Sequence, residues 1–246
     1  MIVQAPAIAP IRMRLEDLYR LGLLPPIRGG SISDYAENKI LDAIFNNVSL
    51  AVTTPFVSLH TANPGETGAS EVAGGSYARE AGSFGAAASG DVTNDAQIEF
   101  TNMPAVGGDG VVAFGIFDAV SAGNALWFDW LGNFQWQKFT VQSSDLAGDV
   151  ITAPAHGLSA TSPNQRVVFT AEFGGDTLPT GIVAGTLYHV NSVPSADTFT
   201  ISATDGGANV NITAVGKGSF RRVDPKTVNG GDAFRFASGQ LTIRLR

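Results

Sequence analysis

The stretch that indicates the fold class is residues 56–65, FVSLHTANPG. Its first five residues read as a buried β-strand, and Asn63-Pro64-Gly65 ends that strand with turn-forming residues. Further candidate strands lie at residues 98–100, 111–117, 125–130, 233–236 and 240–245. Because loops separate these strands, they predict a β-sandwich rather than βαβ units.

One helix is predicted ahead of the first strand. Asp34 is a suitable N-cap, and Glu37 follows at the capping-box spacing. An apolar face follows, which we expect to pack on the sheet, formed by Ile40, Leu41, Ile44 and Phe45.

Residues 137–223 predict a second, smaller all-β unit, with short alternating strands at 139–141, 149–151, 167–170, 187–190, 198–201 and 210–212. Gly216-Lys217-Gly218-Ser219 lacks the upstream glycine and the following helix of a phosphate-binding loop, so it is predicted to be a turn. The strands of the larger unit resume after residue 223. We therefore expect a parent β-sandwich domain, residues 31–136 and 224–246, with residues 137–223 inserted as a small β domain.

Residues 1–30 predict an N-terminal docking arm. Prolines at positions 6, 10, 25 and 26 bracket a short helical stretch at residues 12–21. Either this stretch folds back onto the protein's own core, or it becomes ordered on a neighbouring subunit. On the second interpretation the partner-binding residues are Leu15, Leu18, Tyr19, Leu21 and Leu24.

The composition excludes several classes of function. The 246 residues include no cysteine, which rules out disulfide frameworks and thiol catalysis. The net charge is −7, and residues 31–138 carry three basic against twelve acidic residues, so no nucleic-acid partner is expected. No apolar run approaches the roughly 20 residues that span a bilayer. We expect a soluble protein without a membrane partner.

No catalytic, cofactor or metal site is predicted. His60, His156 and His189 are far apart and lack the spacing of metal ligands. The glycine-acid loops at residues 107–110 and 229–232 could offer oxygens to Ca²⁺, but neither has the spacing of a known calcium loop. We therefore expect no enzyme; a polysaccharide depolymerase would need a pair of carboxylates that the sequence does not single out.

Five large aromatic residues lie within ten positions, where the inserted unit leaves the parent domain. Trp127, Phe128 and Trp130 are expected in the core. For Phe134 and Trp136 two interpretations stay open: packing between the two domains, or an exposed platform that stacks on a glycan.

Six segments in a fixed order resemble a family of small virion proteins of tailed bacteriophages. The segments at residues 57–68 and 71–79 are similar to the family's LHTADPGETG and GGSYAR motifs, and residues 226–235 to KTVNAGDTFR. The other segments lie at residues 35–42, 100–105 and 115–119. Residues 139–222 resemble a different recurrent phage module, and the arm has no counterpart in the family.

The resemblance implies a structural component of the virion, made in the host bacterial cytoplasm, that binds other virion proteins and forms a homo-oligomer. Its place as a capsid decoration, collar or minor tail protein stays open. The alternative is a tail-fibre protein that recognises a host surface glycan.

Overall fold

The computed structural model describes residues 31–132, 134–160, 165–171 and 176–244. It is mainly β, which confirms the all-β prediction. Helix α1 spans Asp34–Phe45. The strands before the predicted insert are β1 (Ser31–Ile32), β2 (Phe56–His60), β3 (Glu80–Ala81), β4 (Asp91–Thr93), β5 (Ile98–Phe100), β6 (Val106–Val111), β7 (Ala113–Phe117) and β8 (Ala125–Trp130).

Nine further strands follow, β9 (Gln137–Val141), β10 (Ile151–Thr152), β11 (Arg166–Thr170), β12 (Leu187–Ser195), β13 (Thr198–Ser202), β14 (Gly216–Val223), β15 (Lys226–Val228), β16 (Phe234–Phe236) and β17 (Thr242–Arg244). They divide into two groups. Strands β9 to β14 close into a six-stranded barrel, while β15 to β17 pair with strands from the first part of the chain.

The parent part has one core enclosed by two sets of strands. A five-stranded sheet has the order β1-β8-β7-β2-β3, and three two-stranded ladders pair β15 with β6, β16 with β5 and β17 with β4. Side chains from both sets meet in one buried cluster, which includes Val57, Leu59, Ile98, Phe100, Phe114, Ile116, Trp127, Phe236 and Leu241. The predicted core position of Trp127 is therefore confirmed.

The second face of the five-stranded sheet is also covered. Side chains alternate along a strand, so Ser58 and His60 lie on the opposite face from Leu59. All five residues of β7 are buried. Residues 57–60 alternate apolar and polar although both faces are buried, so the side chains of Ser58 and His60 form a hydrogen bond with each other.

Arg79 closes this second face by lying on Phe117. Its guanidinium carbon is 3.4 Å from the centre of the Phe117 ring. The same group donates to Glu71 Oε2 at 2.7 Å and to the carbonyls of Ala119 and Ala122 at 3.1 and 2.7 Å. A cation on an aromatic face, with its N–H groups satisfied by fixed acceptors, ties the segment at residues 61–79 to the sheet.

Tyr77 and Gly68 fix the same segment in place, and the Tyr77 ring stacks on Phe100 in the main core. The Tyr77 hydroxyl donates to Glu71 Oε1 at 3.0 Å and accepts the N–H of Leu59 at 2.9 Å. Burial raises the pKa of Tyr77, so the hydroxyl keeps its proton. Gly68 has a φ of 72°, and a Cβ there would clash with the ring of Phe117. The motifs that carry the family resemblance thus act here as structural cover for the sheet.

The barrel encloses a core of its own. The strand order around it is β10-β13-β12-β11-β14-β9, with antiparallel pairs throughout. Its buried side chains include Phe139, Ile151, Val167, Phe169, Tyr188, Val190, Phe199, Ile201, Ile212 and Phe220. The strand predicted at residues 210–212 is wrong, although Ile212 is buried in this core.

The predicted turn at residues 216–219 is also wrong. These residues begin β14, which pairs with both β11 and β9. The glycines are needed for close approach: a Cβ on Gly218 would lie 2.5 Å from the Thr170 carbonyl oxygen, and one on Gly216 would lie 2.5 Å from the backbone nitrogen of Pro179. Glycine in a strand marks such contacts as well as turns.

We predict that Arg79→Ala lowers the free energy of unfolding by about 3 kcal/mol, because it leaves the carboxylate of Glu71 partly buried without its partner. Arg235→Ala is the matched control, since Arg235 is exposed and its nitrogen is 3.9 Å from Glu99; it should change stability by less than about 1 kcal/mol. Urea unfolding followed by tryptophan fluorescence measures both. Equal effects of the two substitutions would contradict the structural role of Arg79.

A second prediction concerns His60, which is buried with Nε2 2.7 Å from Ser58 Oγ and Nδ1 2.7 Å from the Ala69 carbonyl. Burial lowers the pKa of His60 below its ordinary value of 6.5. The unfolded chain therefore binds this proton more readily, so His60's contribution to stability is present above pH 6.5 and is lost as the pH falls below it. Unfolding measured between pH 5 and pH 8 should show a flatter dependence in His60→Gln. An unchanged slope would contradict the prediction.

Candidate functional site

Helix α1 is fixed to the sheet at its N-terminal end. The Ser33 hydroxyl accepts the N–H of Ala36 at 3.2 Å and donates to the carbonyl of Ala125. The N–H of Asp34 donates to Glu66 Oε2 at 2.8 Å. Strand β1, immediately before the helix, pairs with β8. The N-cap is therefore Ser33, one residue before the predicted Asp34.

The helix has two apolar sides. Ala36, Ile40 and Ala43 share one side by their spacing and are buried or half-buried. Leu41, Ile44 and Phe45 lie on the other side, where 52%, 66% and 75% of these residues are exposed. The prediction that all four large apolar residues pack on the sheet is therefore wrong for these three.

The exposed apolar side continues past the end of the helix. Asn47 adopts a left-handed conformation with φ 55°, and the N–H of Val48 donates to the carbonyl of Asp42. Val48 and Leu50 are exposed by 45% and 46%. We call the residues Leu41, Ile44, Phe45, Val48 and Leu50 the helix-end surface. Five large apolar side chains exposed within ten residues mark an interaction surface, whereas single ones do not.

A signal for this surface was present in the sequence. Apolar positions between Ala36 and Phe45 cover roughly 200° of the helix circumference, about twice the stripe that one packing contact requires. The predicted partner-binding residues Leu15, Leu18, Tyr19, Leu21 and Leu24 lie outside the described residues. The predicted arm joins the described part of the chain at Ser31, two residues before the cap of α1.

The barrel and the parent sheet share a buried apolar contact. Trp136 packs against this contact, which is the first of the two roles considered for it, and Leu187 does so from the barrel. The buried members are Val112, Ala113 and Trp130 beside Val168 and Val223.

Asp109 adds an ion pair across the same boundary. Its Oδ1 accepts from Arg166 Nε at 2.8 Å and Nη2 at 2.7 Å, and it lies 3.5 Å from His189 Nε2. Burial lowers the pKa of His189, with Asp109 opposing the shift. Residues 107–110, which were predicted as a loop, lie in β6 and direct the Asp109 carboxylate to the barrel. Among the described residues, no group of three or more potential ligand side chains could hold a metal ion.

Arg221 forms a second polar connection. It is 2% exposed, and its Nη1 donates to Asp129 Oδ1 at 2.6 Å. Its Nη2 donates to the carbonyl of Gly132 at 2.9 Å. Burial raises the pKa of Asp129, and the guanidinium of Arg221 opposes that shift. Together with the apolar contact and Asp109, this pair holds the barrel in one orientation relative to the sheet.

These features define an all-β protein with a fixed second unit and an apolar surface available to a partner. No helix in the described ranges is long and apolar enough to cross a membrane. A family model described as podophage GP4 fiber I protein gp80 matches residues 31–161, more than half of the 246 residues. The chain belongs to this family and is a structural protein of the tailed-phage virion. No curated protein matches the chain.

We predict that Asp109→Asn loosens the contact between the barrel and the sheet. The substitution removes the carboxylate charge that faces Arg166 and His189. Breaking a largely buried ion pair of this kind lowers the free energy of unfolding by about 3 kcal/mol. Hydrogen exchange should rise in β11 and β12. Asp118→Asn is the control, because both carboxylate oxygens of Asp118 accept hydrogen bonds from Asn124 in an exposed turn. Unchanged exchange in Asp109→Asn would show that this ion pair does not hold the barrel.

Proposed function

We propose that this protein is a non-enzymatic fibre component anchored to another virion protein through its helix-end surface and residues 1–30. The observation that carries the proposal is the exposed apolar side of α1, beside the point where residues 1–30 join the fold. The parent domain (31–136 and 224–246) then faces the particle, and the inserted domain (137–223) projects from it. Membership in a fibre family supports a structural role in the virion.

The energetics favour attachment of several copies. Burial of Leu41, Ile44 and Phe45 stabilises a contact by roughly 1.5–3 kcal/mol for each side chain before other terms. Association of two proteins costs at least about 4 kcal/mol in lost translation and rotation. One helix-end surface therefore gives a weak contact. Residues 1–30 add apolar area, and a homo-oligomer that presents several surfaces at once binds far more tightly.

The symmetry of the particle determines how many copies can bind. Virion proteins assemble on rotationally symmetric rings and shells, so the oligomer takes a symmetry that its attachment site can match. Attachment at the neck or tail fits a fibre better than a decoration spread over the capsid. Attachment to the head of the particle is the second candidate within this proposal.

The first experiment tests the helix-end surface by complementation of a phage that lacks the gene. We expect Leu41→Glu/Phe45→Glu to reduce incorporation of the protein into particles at least about tenfold, because two charges would enter an apolar contact. Val183→Glu/Val215→Glu is the matched control, since these valines are 60% and 55% exposed on the barrel. Quantitative mass spectrometry of purified particles gives the copy number. Both variants should retain the wild-type melting temperature, because the substituted residues are exposed.

A second variant separates the arm from the helix. Deletion of residues 1–30 should also reduce incorporation, and combining it with Leu41→Glu/Phe45→Glu should abolish it. Normal incorporation of the deletion variant would refute the arm as a docking element. Normal incorporation of the helix variant would refute the helix-end surface and with it the proposed attachment.

A further inference from the structure

A cleft of about 1010 Å³ opens on the side of the parent core that faces the barrel connections. One wall comes from the end of β8, the connection into the barrel and the end of β14. The other wall comes from β15, β16, β17 and the turns between them. None of the residues of the helix-end surface lines the cleft, so burial of that surface leaves the cleft open.

Aromatic rings form part of both walls. Phe134 and Phe234, from two different segments of the chain, are half-buried, and Trp130 is buried. The Arg222 guanidinium carbon is 4.6 Å from the centre of the Phe134 ring. A Cβ on Gly132 would lie 2.6 Å from that ring. Phe134 is therefore held in place at the cleft and is not a loose surface side chain.

The cleft is lined by charged groups of both signs, of which Arg221 and Asp129 are paired with each other. Four cations and three carboxylates line it, namely Arg221, Lys226, Arg235, Arg244, Asp129, Asp224 and Asp232. Lys226 and Asp224 are half-exposed and pair at 2.6 Å, so both heads are accessible. Gln135, Thr227, Gln240 and Thr242 add neutral hydrogen-bonding groups.

This combination fits a sugar chain better than other ligand classes. A nucleic acid requires a clear excess of cations along its path. An apolar ligand such as a lipid tail would be placed against five charged side chains besides the Arg221–Asp129 pair. A sugar has apolar C–H faces that stack on aromatic rings, and hydroxyl groups that both donate and accept hydrogen bonds. The volume lies at the upper limit of small-molecule pockets, which leaves room for several sugar units.

We propose that this cleft binds an oligosaccharide. Phe134 and Phe234 stack on sugar rings from the two walls, while Lys226 and Asp224 bind hydroxyl groups at the open end. Because Phe134 belongs to the connection into the barrel, the site exists only when the barrel is fixed against the parent domain. The proposal does not depend on how the protein is attached to the particle.

The test uses the full-length protein on a printed array of bacterial surface oligosaccharides, both neutral and acidic. Saccharides that are retained are then titrated in solution, with tryptophan fluorescence as the readout because Trp130 lines the cleft. We expect Phe134→Ala to weaken binding about tenfold and Lys226→Ala to weaken it severalfold, as the loss of one stacking ring or one charged hydrogen bond does.

Two control variants separate binding from stability. Phe84 is a half-buried phenylalanine that packs on the same core outside the cleft, so Phe84→Ala should keep the wild-type affinity. Lys217 pairs with Asp176 at 2.9 Å on the barrel, and Lys217→Ala matches Lys226→Ala. If no saccharide is retained, if a peptide library binds instead, or if Phe134→Ala binds as tightly as the wild type, the proposal is overturned. All of these measurements use the isolated protein, so they are independent of incorporation into particles.

Discussion

The stacking of Arg79 on Phe117 fixes a loop that touches the helix, the sheet and the barrel. This contact holds the segment at residues 61–79 against the second face of the five-stranded sheet. From there Glu66 reaches the first turn of α1, and the Asn63 side chain packs on Gly185 of the barrel, where φ is 69°. One loop thus contacts the helix, the sheet and the barrel. Its motifs are best understood as the requirements of that triple contact.

The sequence predicted elements well where local patterns decide them. The predicted strand 125–130 coincides with β8, and the helix has the predicted place. The predictions failed where contacts between distant parts of the chain determine the local structure. Glycines at the start of β14 looked like a turn, because the strands that they approach are far away in sequence. Exposure of Phe45 depends on how much of the helix the sheet covers, which no local pattern states.

The candidate sites show the same limit. Asp109 and Arg166 are 57 residues apart in the chain, and Asp129 and Arg221 are 92 apart. No spacing rule links such pairs, so the polar connections between the barrel and the sheet could not be predicted. The aromatic residues at 127–136 were a usable signal, since they identified the connection that lines the cleft. The family resemblance indicated the class of protein, but it did not indicate which surface binds a partner.

The two connections between the sheet and the barrel also have a mechanical consequence. The chain leaves after β8 and returns from β14 to β15 through only Asp224 and Pro225, and the N–H of Asp224 donates to the carbonyl of Leu131 in the outgoing connection. A pull on the barrel, such as drag from moving liquid, is therefore divided between two adjacent backbone segments that are bonded to each other. Arg221, which bonds to Gly132, resists their sliding. The junction between the sheet and the barrel is therefore stiff. If the protein bends when it is attached to a particle, the bending occurs at another point.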